Sequence, residues 1–500
     1  MPPRRYATGQ LALHTELGLN VPEPYQQSWV STGTTRKIEQ GVSSAQHTYP
    51  KSYRHGGTLL DHLRFALRYE PLDLRLLSAA FRTWGAEEIR LWVQQEPTGE
   101  RSRRAWFLYE ALTGQTLELP DTTSGAYVGA LNERWEYVAA RRNSPRHRVT
   151  DNLLGTAAFS VTVRRTDRLE QSWRSALDQR ARQLLRQYDP ALLARAITFL
   201  YTTETLSSFQ IEREQPDKAR ERRFVQALRN ARKFNPLDPA ALRTLQQQIV
   251  EGQTPLEGWR TDQVFVGETV GQGQEQVHFV TPQPADLPAL MDGWQAMTAR
   301  LLSDPSVDPV LAAAAISFAF VFIHPFPDGN GRLHRYLIHQ VLEKRDFTPP
   351  EGIFPISASM LRDRRGYDDA LESFSRPLME HLDFELDPRE LTLTVRGKTA
   401  HLYRHFDATT LVEYLYGRIE DTIARDLSGE LDWLSRFDQI FQVAYAQDLP
   451  DVQAKKLVRY LMEQRGRLSN NKRPQFADIA PEKLRLIEER ARQVFAENDE

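Results

Sequence analysis

One short stretch of the sequence holds most of the side chains that could carry acid–base and phosphate chemistry. From His324 to Arg335 the chain reads HPFPDGNGRLHR, which sets two histidines, an aspartate, an asparagine and two arginines around two glycines. Pro325 and Pro327 are incompatible with a helix interior, so the first half of the stretch must be a loop. Apolar residues at helical spacing resume at Leu333. We therefore expect a loop followed directly by a helix.

The start of that helix has the composition of an anion-binding site. Gly329, Asn330 and Gly331 form a turn whose unhindered backbone N–H groups converge where the helix dipole also favours negative charge. Arg332 and Arg335 lie three residues apart, so both guanidinium groups can reach the same anion. The ligand that these groups predict is a phosphate.

Two further side chains define the chemistry. Asp328 would repel a bare phosphate, but it fits a site in which Mg²⁺ lies between carboxylate and phosphate. His324 directly follows the apolar run from Val310 to Ile323 and is the loop residue best able to accept a proton near neutral pH. A base beside a bound metal–nucleotide predicts attack by a hydroxyl group on phosphorus.

The stretch resembles the motif of the Fic family, His-x-Phe-x-Asp/Glu-Gly-Asn-Gly-Arg-x-x-Arg, at all eight defined positions. This resemblance implies a protein adenylyltransferase, which transfers AMP from ATP to a hydroxyl side chain of a target protein and releases pyrophosphate. Relatives of the Doc branch act as kinases and carry bulkier residues at the two loop glycines. Gly329 and Gly331 therefore favour AMP transfer over phosphoryl transfer.

The resemblance also implies a role for each motif residue. His324 would deprotonate the target hydroxyl, Phe326 would hold the loop in the core, and Asp328 would bind Mg²⁺. Five residues would bind the phosphates of ATP: Gly329, Asn330, Gly331, Arg332 and Arg335.

Two other segments are similar to parts of the same family. Two β-rich runs flank the Gly-rich sequence GETVGQGQE and predict a hairpin over residues 264–280. This hairpin, which we call the flap, resembles the one that pairs with an extended segment of the target protein. The sequence RRGYDDALESF, from Arg364 to Phe374, resembles the segment that closes the adenine pocket, with Tyr367 as the candidate contact. An ordinary amphipathic helix start explains this second segment equally well.

A third segment resembles the inhibitory helix of Fic proteins, which has the pattern Ser/Thr-x-x-x-Glu-Gly/Asn. Ser208 to Glu212 fits the first five positions, whereas Arg213 does not fit the sixth. In the family this glutamate pairs with the second motif arginine, here Arg335, and blocks placement of the γ-phosphate. A charge-assisted pair of this kind contributes on the order of 1.5 to 3 kcal/mol, which favours the closed form roughly 10- to 150-fold.

The composition restricts the class of protein. The 500 residues include 64 Lys and Arg against 66 Asp and Glu, and the net charge of -2 argues against a protein that works mainly by binding nucleic acid. Cysteine is absent, which rules out disulfides and thiolate chemistry and suits the cytoplasm. No signal peptide is predicted, and the longest apolar run is shorter than the roughly 20 residues that span a bilayer.

The pattern of apolar residues predicts a mainly α protein in which a Fic-type helical core with a small β-hairpin flap lies between helical N- and C-terminal domains. Four segments are predicted: an irregular arm (1–50), a mainly helical domain (51–165), the catalytic domain with inhibitory helix and flap (166–395), and a C-terminal helical domain (396–500).

Two alternative functions stay open. The same site could remove AMP, with Glu212 positioning a water molecule. Alternatively, the core could sense nucleotide while the terminal domains act as a regulatory or nucleic-acid-binding module, for which the basic sequence RGRLSNNKRPQ is the main candidate. A homo-oligomer is compatible with the sequence, and the target protein and its hydroxyl type are not indicated.

Overall fold

The computed structural model describes residues 5–41, 43–250, 257–270, 274–349, 352–387 and 389–497. Helices predominate, and the strands form only small sheets, which confirms the mainly α fold. The chain divides into two compact units. The larger comprises residues 1–176, 205–348 and 357–418, and the smaller comprises 177–204, 349–356 and 419–500. These units have other boundaries than the four predicted segments, which stay a prediction about domain organisation.

The α-helices of the described residues are numbered in chain order: α1 Gly9–Glu16, α2 Leu59–Tyr69, α3 Leu74–Thr83, α4 Ala86–Gln95, α5 Glu100–Thr113, α6 Asp167–Arg174, α7 Leu177–Leu185, α8 Pro190–Ile211, α9 Lys218–Arg229, α10 Pro239–Ile249, α11 Leu287–Ser303, α12 Pro309–Ile323, α13 Asn330–Lys344, α14 Ile356–Arg362, α15 Arg364–Met379, α16 His401–Arg404, α17 Thr409–Asp421, α18 Ser428–Ala446, α19 Asp451–Glu463 and α20 Pro481–Glu497. A π-helical turn, Thr422–Leu427, joins α17 to α18.

The strands of the described residues are β1 Arg5–Thr8, β2 Gln26–Ser31, β3 Lys37–Gln40, β4 Ala45–Tyr49, β5 Val128–Gly129, β6 Arg142–Ser144, β7 Val149–Asp151, β8 Ser160–Thr162, β9 Phe265–Val270, β10 Gln274–Val280, β11 Asp383–Asp387, β12 Thr392–Arg396 and β13 His405–Asp407.

The first fifty residues are more regular than the sequence suggested. Instead of an irregular arm they form a four-stranded sheet in the order β1-β2-β4-β3, in which only β2 and β4 are parallel. The period-two pattern was hidden because β2 buries the polar side chains of Gln26 and Ser28 and β3 is exposed along its whole length. The aromatic rings of Tyr49 and Phe65, whose centroids are 5.1 Å apart, join this sheet to α2.

The helices α12 and α13 form the centre of the larger unit. Almost every residue of α12 is buried, and its start is fixed by Asp308, whose carboxylate accepts hydrogen bonds from the N–H groups of Val310 and Leu311. The indole of Trp294 on α11 donates to the carbonyl of Ile316 at 2.9 Å. This packing holds the C-terminal end of α12, and therefore the motif loop after it, in one position.

A short parallel pairing joins distant parts of the larger unit. Strand β8 pairs with β13, so that Ser160 lies opposite His405. Near this pairing, the hydroxyl of Tyr403 donates to the carbonyl of Val280 at the end of β10. Residues some 240 positions apart in the sequence thus contribute to the same layer as the flap.

The smaller unit is helical. Its core is formed by buried apolar residues of α18, α19 and α20, among them Ile440, Leu457 and Ile487. Residues 177–204 belong to the same unit, where Tyr188 donates to Asp432 at 2.6 Å and Arg195 pairs with Asp438. Of the helices that the structure describes, none combines the length and the hydropathy that a bilayer crossing requires.

Candidate active site

The predicted loop and helix are present, and His324 lies where the first helix ends. Helix α12 stops at Ile323, and His324 adopts the left-handed conformation (φ 53°, ψ 57°) while its N–H donates to the carbonyl of Phe320. Pro325 cannot continue the helix, so the chain must turn at this point. The left-handed conformation is uncommon for a residue with a side chain, and such residues cluster at functional sites.

The His324 ring has a defined hydrogen-bonding state. Its Nδ1 lies 3.2 Å from the carbonyl oxygen of Val321. Because a carbonyl oxygen only accepts hydrogen bonds, Nδ1 carries the proton and Nε2 of the neutral ring keeps its lone pair. Burial, assisted by the charge of Arg260, lowers the pKa of His324 to about 4. The ring is therefore neutral near pH 7, with one nitrogen able to accept a proton.

Arg260 fixes the loop backbone, and the sequence did not single it out. This buried side chain donates from Nε to the carbonyl of His324 at 2.8 Å. The backbone N–H of Arg260 donates to the carbonyl of Pro325. It also donates to the hydroxyl of Thr281 and the carbonyl of Pro282, just after the flap. Arg260 thus connects the base of the flap to the loop. No local pattern marks such a residue, because all of its acceptors but one lie more than ten positions away.

The loop closes on itself through Asn330. The side-chain oxygen of Asn330 accepts from the N–H of Phe326 at 3.1 Å, and its amide nitrogen donates to the carbonyl of Phe326 at 2.7 Å. Phe326 is completely buried, as the sequence predicted for the residue that holds the loop in the core. The Asn330 side chain is therefore committed to loop structure, and only its backbone N–H is available to an anion.

Helix α13 begins at Asn330, and Gly329 precedes it with φ 86°. A Cβ atom at Gly329 would lie 2.7 Å from Val250, and one at Gly331 would collide with the carboxylate of Glu212. Gly329 is thus required by its backbone conformation and by Val250, whereas a side chain at Gly331 would have to displace the Glu212 carboxylate. The unsatisfied N–H groups of the first turn of α13 and its dipole form an anion-binding end, and the carboxylate of Glu212 lies next to it.

The two motif arginines are buried, and each is paired with a different carboxylate. Arg335 donates from Nη2 to Glu212 at 2.8 Å and to the carbonyl of Ser208, and from Nε to the hydroxyl of Ser208. Arg332 donates to Glu214 at 2.8 Å and to Asp328 at 2.9 Å. From the sequence, both guanidinium groups were expected to face one anion; in this structure carboxylates of the protein occupy them separately.

Glu212 and Glu214 are presented by the end of α8. The N–H of Arg213 donates to the carbonyl of Gln210 and that of Glu214 to the carbonyl of Phe209, which is the Schellman arrangement of a helix C-terminus. Arg213 occupies the left-handed position of this turn (φ 59°), where glycine or asparagine is favoured. Burial raises the pKa of Glu212, but the charge and hydrogen bond of Arg335, together with the charges of Arg332 and Arg364, outweigh it, so the net shift is downward.

Tyr367 lies at the start of α15 and is almost fully buried. Its ring is stacked with that of His334 at a centroid distance of 6.2 Å, and burial raises its pKa. The structure thus brings Tyr367 close to the motif helix, while its contact with an adenine ring stays a prediction.

The predicted hairpin is confirmed. Strands β9 and β10 pair antiparallel from Phe265 opposite Val280 to Val270 opposite Gln274, with an irregularity between Val277 and Phe279. The tip of the flap, residues 271–273, lies outside the described residues. The side chains of β9 are mostly exposed, and Glu268 lies 3.7 Å from Arg213 in the turn that ends α8.

The residues fit a magnesium ion bound mainly through nucleotide phosphates. Asp328 is 46% exposed, and its Oδ1 accepts from Arg332 and from the N–H of Gly329. Within the described part of the chain no group of three or more potential metal ligands is assembled. A single accessible carboxylate is a suitable donor set, because Mg²⁺ commonly takes one or two carboxylates and completes its shell with phosphate oxygens and water.

Comparison with known proteins points to one family. Residues 236–342 match the model of the Fic/DOC family. A probable protein adenylyltransferase of Aquifex aeolicus (strain VF5) is 24% identical over 297 residues, which cover 55% of this chain and 84% of that protein. The protein adenylyltransferase Fic of Nematostella vectensis is 32% identical over 108 residues, which cover 21% of this chain and 22% of that protein.

Similar structures include a Fic family protein of Desulfovibrio desulfuricans G20, at 16% identity and a TM-score of 0.37, covering 63% of this chain and 87% of that one. That score is too low to carry an argument of its own. The family model and the identities agree with the motif geometry around His324 and α13. Residues 236–342 of this chain therefore belong to the Fic/DOC family.

Proposed function

We propose that this protein is an adenylyltransferase that transfers AMP from ATP to a hydroxyl side chain of a target protein and releases pyrophosphate. The observation that supports this most is the placement of a neutral His324, with Nε2 able to accept a proton, beside the N-terminus of α13 and two buried arginines. The similar proteins of Aquifex aeolicus and Nematostella vectensis are named as protein adenylyltransferases, which agrees with the proposal.

The mechanism follows from these groups. Nε2 of His324 accepts the proton of the target hydroxyl, the hydroxyl oxygen attacks the α-phosphorus, and the bond from that phosphorus to the bridging oxygen breaks as pyrophosphate leaves. The first turn of α13 stabilises the phosphate charge through its N–H groups, and Arg332 and Arg335 bind the outer phosphates. Mg²⁺ held by Asp328 would neutralise part of the phosphate charge. Tyr367 would contact the adenine ring.

The flap positions the hydroxyl group of the target protein that accepts AMP. The exposed β9 strand is suited to pair with an extended segment of the target, which would bring a hydroxyl toward His324. Arg260 supports this geometry because it binds the residues after β10 and the backbone of His324 with one side chain.

The structure corresponds to the inhibited form in this proposal. Glu212 occupies Arg335 and lies over Gly331, where nucleotide phosphate would bind. Since the Glu212 side chain is 36% exposed, solvent screening places the contact near the lower end of the 1.5 to 3 kcal/mol expected for such a pair. The predicted location, the cytoplasm, rests on the cysteine-free sequence.

Labelling with ATP radioactive at the α-phosphate tests the proposal. We expect Glu212→Gly to raise self-labelling about tenfold, because Arg335 becomes available to the nucleotide. Glu489→Gly is the matched control, since Glu489 is exposed on α20 and distant in sequence from the motif. His324→Ala is expected to abolish transfer while nucleotide binding persists.

Each outcome discriminates among the alternatives. An unchanged signal for Glu212→Gly would overturn the inhibitory role, and retained transfer by His324→Ala would remove that residue as the base. If labelled protein instead loses AMP faster with Glu212 present than without it, AMP removal is the better description. A nucleotide-sensing module would bind ATP and show no transfer in any variant.

A further inference from the structure

A second glutamate, Glu214, contacts the site from the same turn as Glu212. Its Oε2 atom accepts hydrogen bonds from two guanidinium groups, Nη1 of Arg332 and Nη2 of Arg220, both at 2.8 Å. Arg332 is 1% exposed and Arg220 8% exposed, whereas Glu214 is 34% exposed. A carboxylate shared between two largely buried cations is a built contact, unlike the mobile ion pairs of a protein surface.

Both terminal nitrogens of Arg332 already have a carboxylate partner. One terminal nitrogen donates to Glu214 and the other to Asp328. The ring of Phe209 contacts both arginines, with its centroid 5.3 Å from the guanidinium carbon of Arg332 and 4.9 Å from that of Arg220. The Nε of Arg332 is buried and has no acceptor among the described residues. A phosphate that bound the terminal nitrogens of Arg332 would therefore compete with the carboxylates of Glu214 and Asp328 for the same cation.

Arg220 determines what happens to Glu214 after such a replacement. Because the same carboxylate oxygen is already bonded to Arg220, Glu214 stays paired when Arg332 turns to a phosphate. Displacement then does not leave an unpaired, partly buried carboxylate, whose desolvation would oppose binding. The Glu214–Arg332 contact can thus compete with a phosphate ligand, and the bond from Arg220 lowers the cost of displacing Glu214 from Arg332.

We infer that Glu214 competes with the outer phosphates of the nucleotide for Arg332 and thereby sets the preference among nucleoside mono-, di- and triphosphates. The inference rests on the proposed function, because it takes Arg332 to bind those outer phosphates. Glu214 acts on a different arginine from Glu212, so its effect on nucleotide affinity is separate from that of the Glu212–Arg335 contact. A monophosphate has no outer phosphate and does not compete with Glu214.

Calorimetric titration of the full chain with ATP, ADP and AMP tests this inference without requiring transfer. We expect Glu214→Gln to bind ATP and ADP about tenfold more tightly, since an uncharged amide competes less well for a guanidinium, and to bind AMP with unchanged affinity. Glu214→Asp should act in the same direction, because the shorter side chain no longer reaches Arg332. Glu221→Gln is the control with the same charge change, as Glu221 pairs with Lys218 on α9.

The results that would overturn the inference are distinct from those that would overturn the proposed function. Unchanged or weaker ATP binding by Glu214→Gln would remove the competitive role, and an equal gain for AMP would show a general effect of charge. If no nucleotide binds to any variant, the proposed function and the inference fail together. If ATP binding tightens but no AMP transfer is found, only the proposed reaction is wrong.

Discussion

At the scale of single residues, the tautomer of His324 decides what the site can do. The hydrogen bond from Nδ1 to the carbonyl of Val321 leaves Nε2 as the only ring atom that can take a proton. Burial makes the ring a weak base, but it also keeps the ring deprotonated at every pH near neutrality. Because the ring is already neutral near pH 7, it can accept the proton of a hydroxyl group without first losing one of its own.

The pKa of His324 predicts the pH dependence of transfer. Because burial lowers it to about 4, activity should be constant from pH 8 to about pH 5 and should fall to half near pH 4 as the ring becomes protonated. A histidine with the ordinary pKa of about 6.5 would lose half its activity near that pH instead. The measurement is kcat/KM for AMP transfer by Glu212→Gly across this range.

The lowered pKa of His324 also affects the stability of the fold. The unfolded chain binds a proton at His324 below about pH 6.5, whereas the folded chain does so only near pH 4, so this residue lowers the free energy of unfolding as the pH falls between those values. His324→Gln should remove that contribution. An activity profile with its midpoint near 6.5 would contradict the low pKa.

Some residues of the site could be identified from the sequence, and others could be identified only from the structure. His324, Asp328 and Arg335 lie in one short motif whose spacing is itself the signal. Arg260 and Glu214 are connected to the site through partners far along the chain, at positions 281 and 332 for example. Their importance comes from tertiary contacts that no local pattern records.

At the scale of elements, the turn that ends α8 is strained at one position. Arg213 occupies a left-handed conformation that costs a residue with a side chain roughly 1 to 2 kcal/mol. Arg213 departs from the family pattern, which has glycine or asparagine at this position, and this departure therefore corresponds to a strained backbone. The turn holds its two glutamates in place, but with less stability than a glycine would provide.

Arg213→Gly should relieve this strain and strengthen the inhibitory contact. We expect a gain of about 1 kcal/mol in the free energy of unfolding, smaller than the full strain because glycine also stabilises the unfolded chain entropically. Self-labelling should fall severalfold. Arg213→Lys, which keeps a side chain and a positive charge, is the control and should behave like the parent chain. Increased labelling by Arg213→Gly would contradict the proposed link between turn stability and inhibition.

The start of α13 gives a second prediction at this scale. Gly329→Ala should lower stability through the left-handed backbone, by about 1 to 2 kcal/mol, and through its contact with Val250, by a further ~1 to 3 kcal/mol. Gly397→Ala is a matched control, because Gly397 has a similar φ of 78° and no atom within 4 Å of the added Cβ. Urea unfolding of both variants measures the difference, and equal losses would exclude the Val250 contact.

At the scale of the whole molecule, the helical class followed from the sequence but the connections between distant parts did not. Helical periodicity is local, so the helix after the motif loop, α13, was expected close to where it occurs. The pairing of β8 with β13 joins strands of three residues that carry almost no pattern. The smaller unit likewise combines residues 177–204 with 419–500, which a linear division into segments cannot express.

These connections predict how the chain responds to truncation. A chain ending at residue 395, the predicted end of the catalytic segment, lacks β13, the Tyr403 bond to Val280, and the helices that pack with residues 177–204. A loss of ~2 kcal/mol would lower the melting temperature of the larger unit by about 2 to 3 °C. Calorimetry of this chain against one lacking only residues 498–500 provides the comparison, and equal melting temperatures would favour the four predicted segments.

Gly331 has a consequence for how mutation can change this protein. Any Cβ at this position would displace the Glu212 carboxylate. In the proposed mechanism the same atom would also stand beside the N–H groups of the first turn of α13, which bind phosphate in that proposal. In the proposed mechanism, a side chain at position 331 would therefore loosen the Glu212–Arg335 contact and obstruct the nucleotide at the same time. A genetic selection for hyperactive variants should return substitutions of Glu212 and none of Gly331, so the smallest residue of the motif also protects the chain against accidental activation.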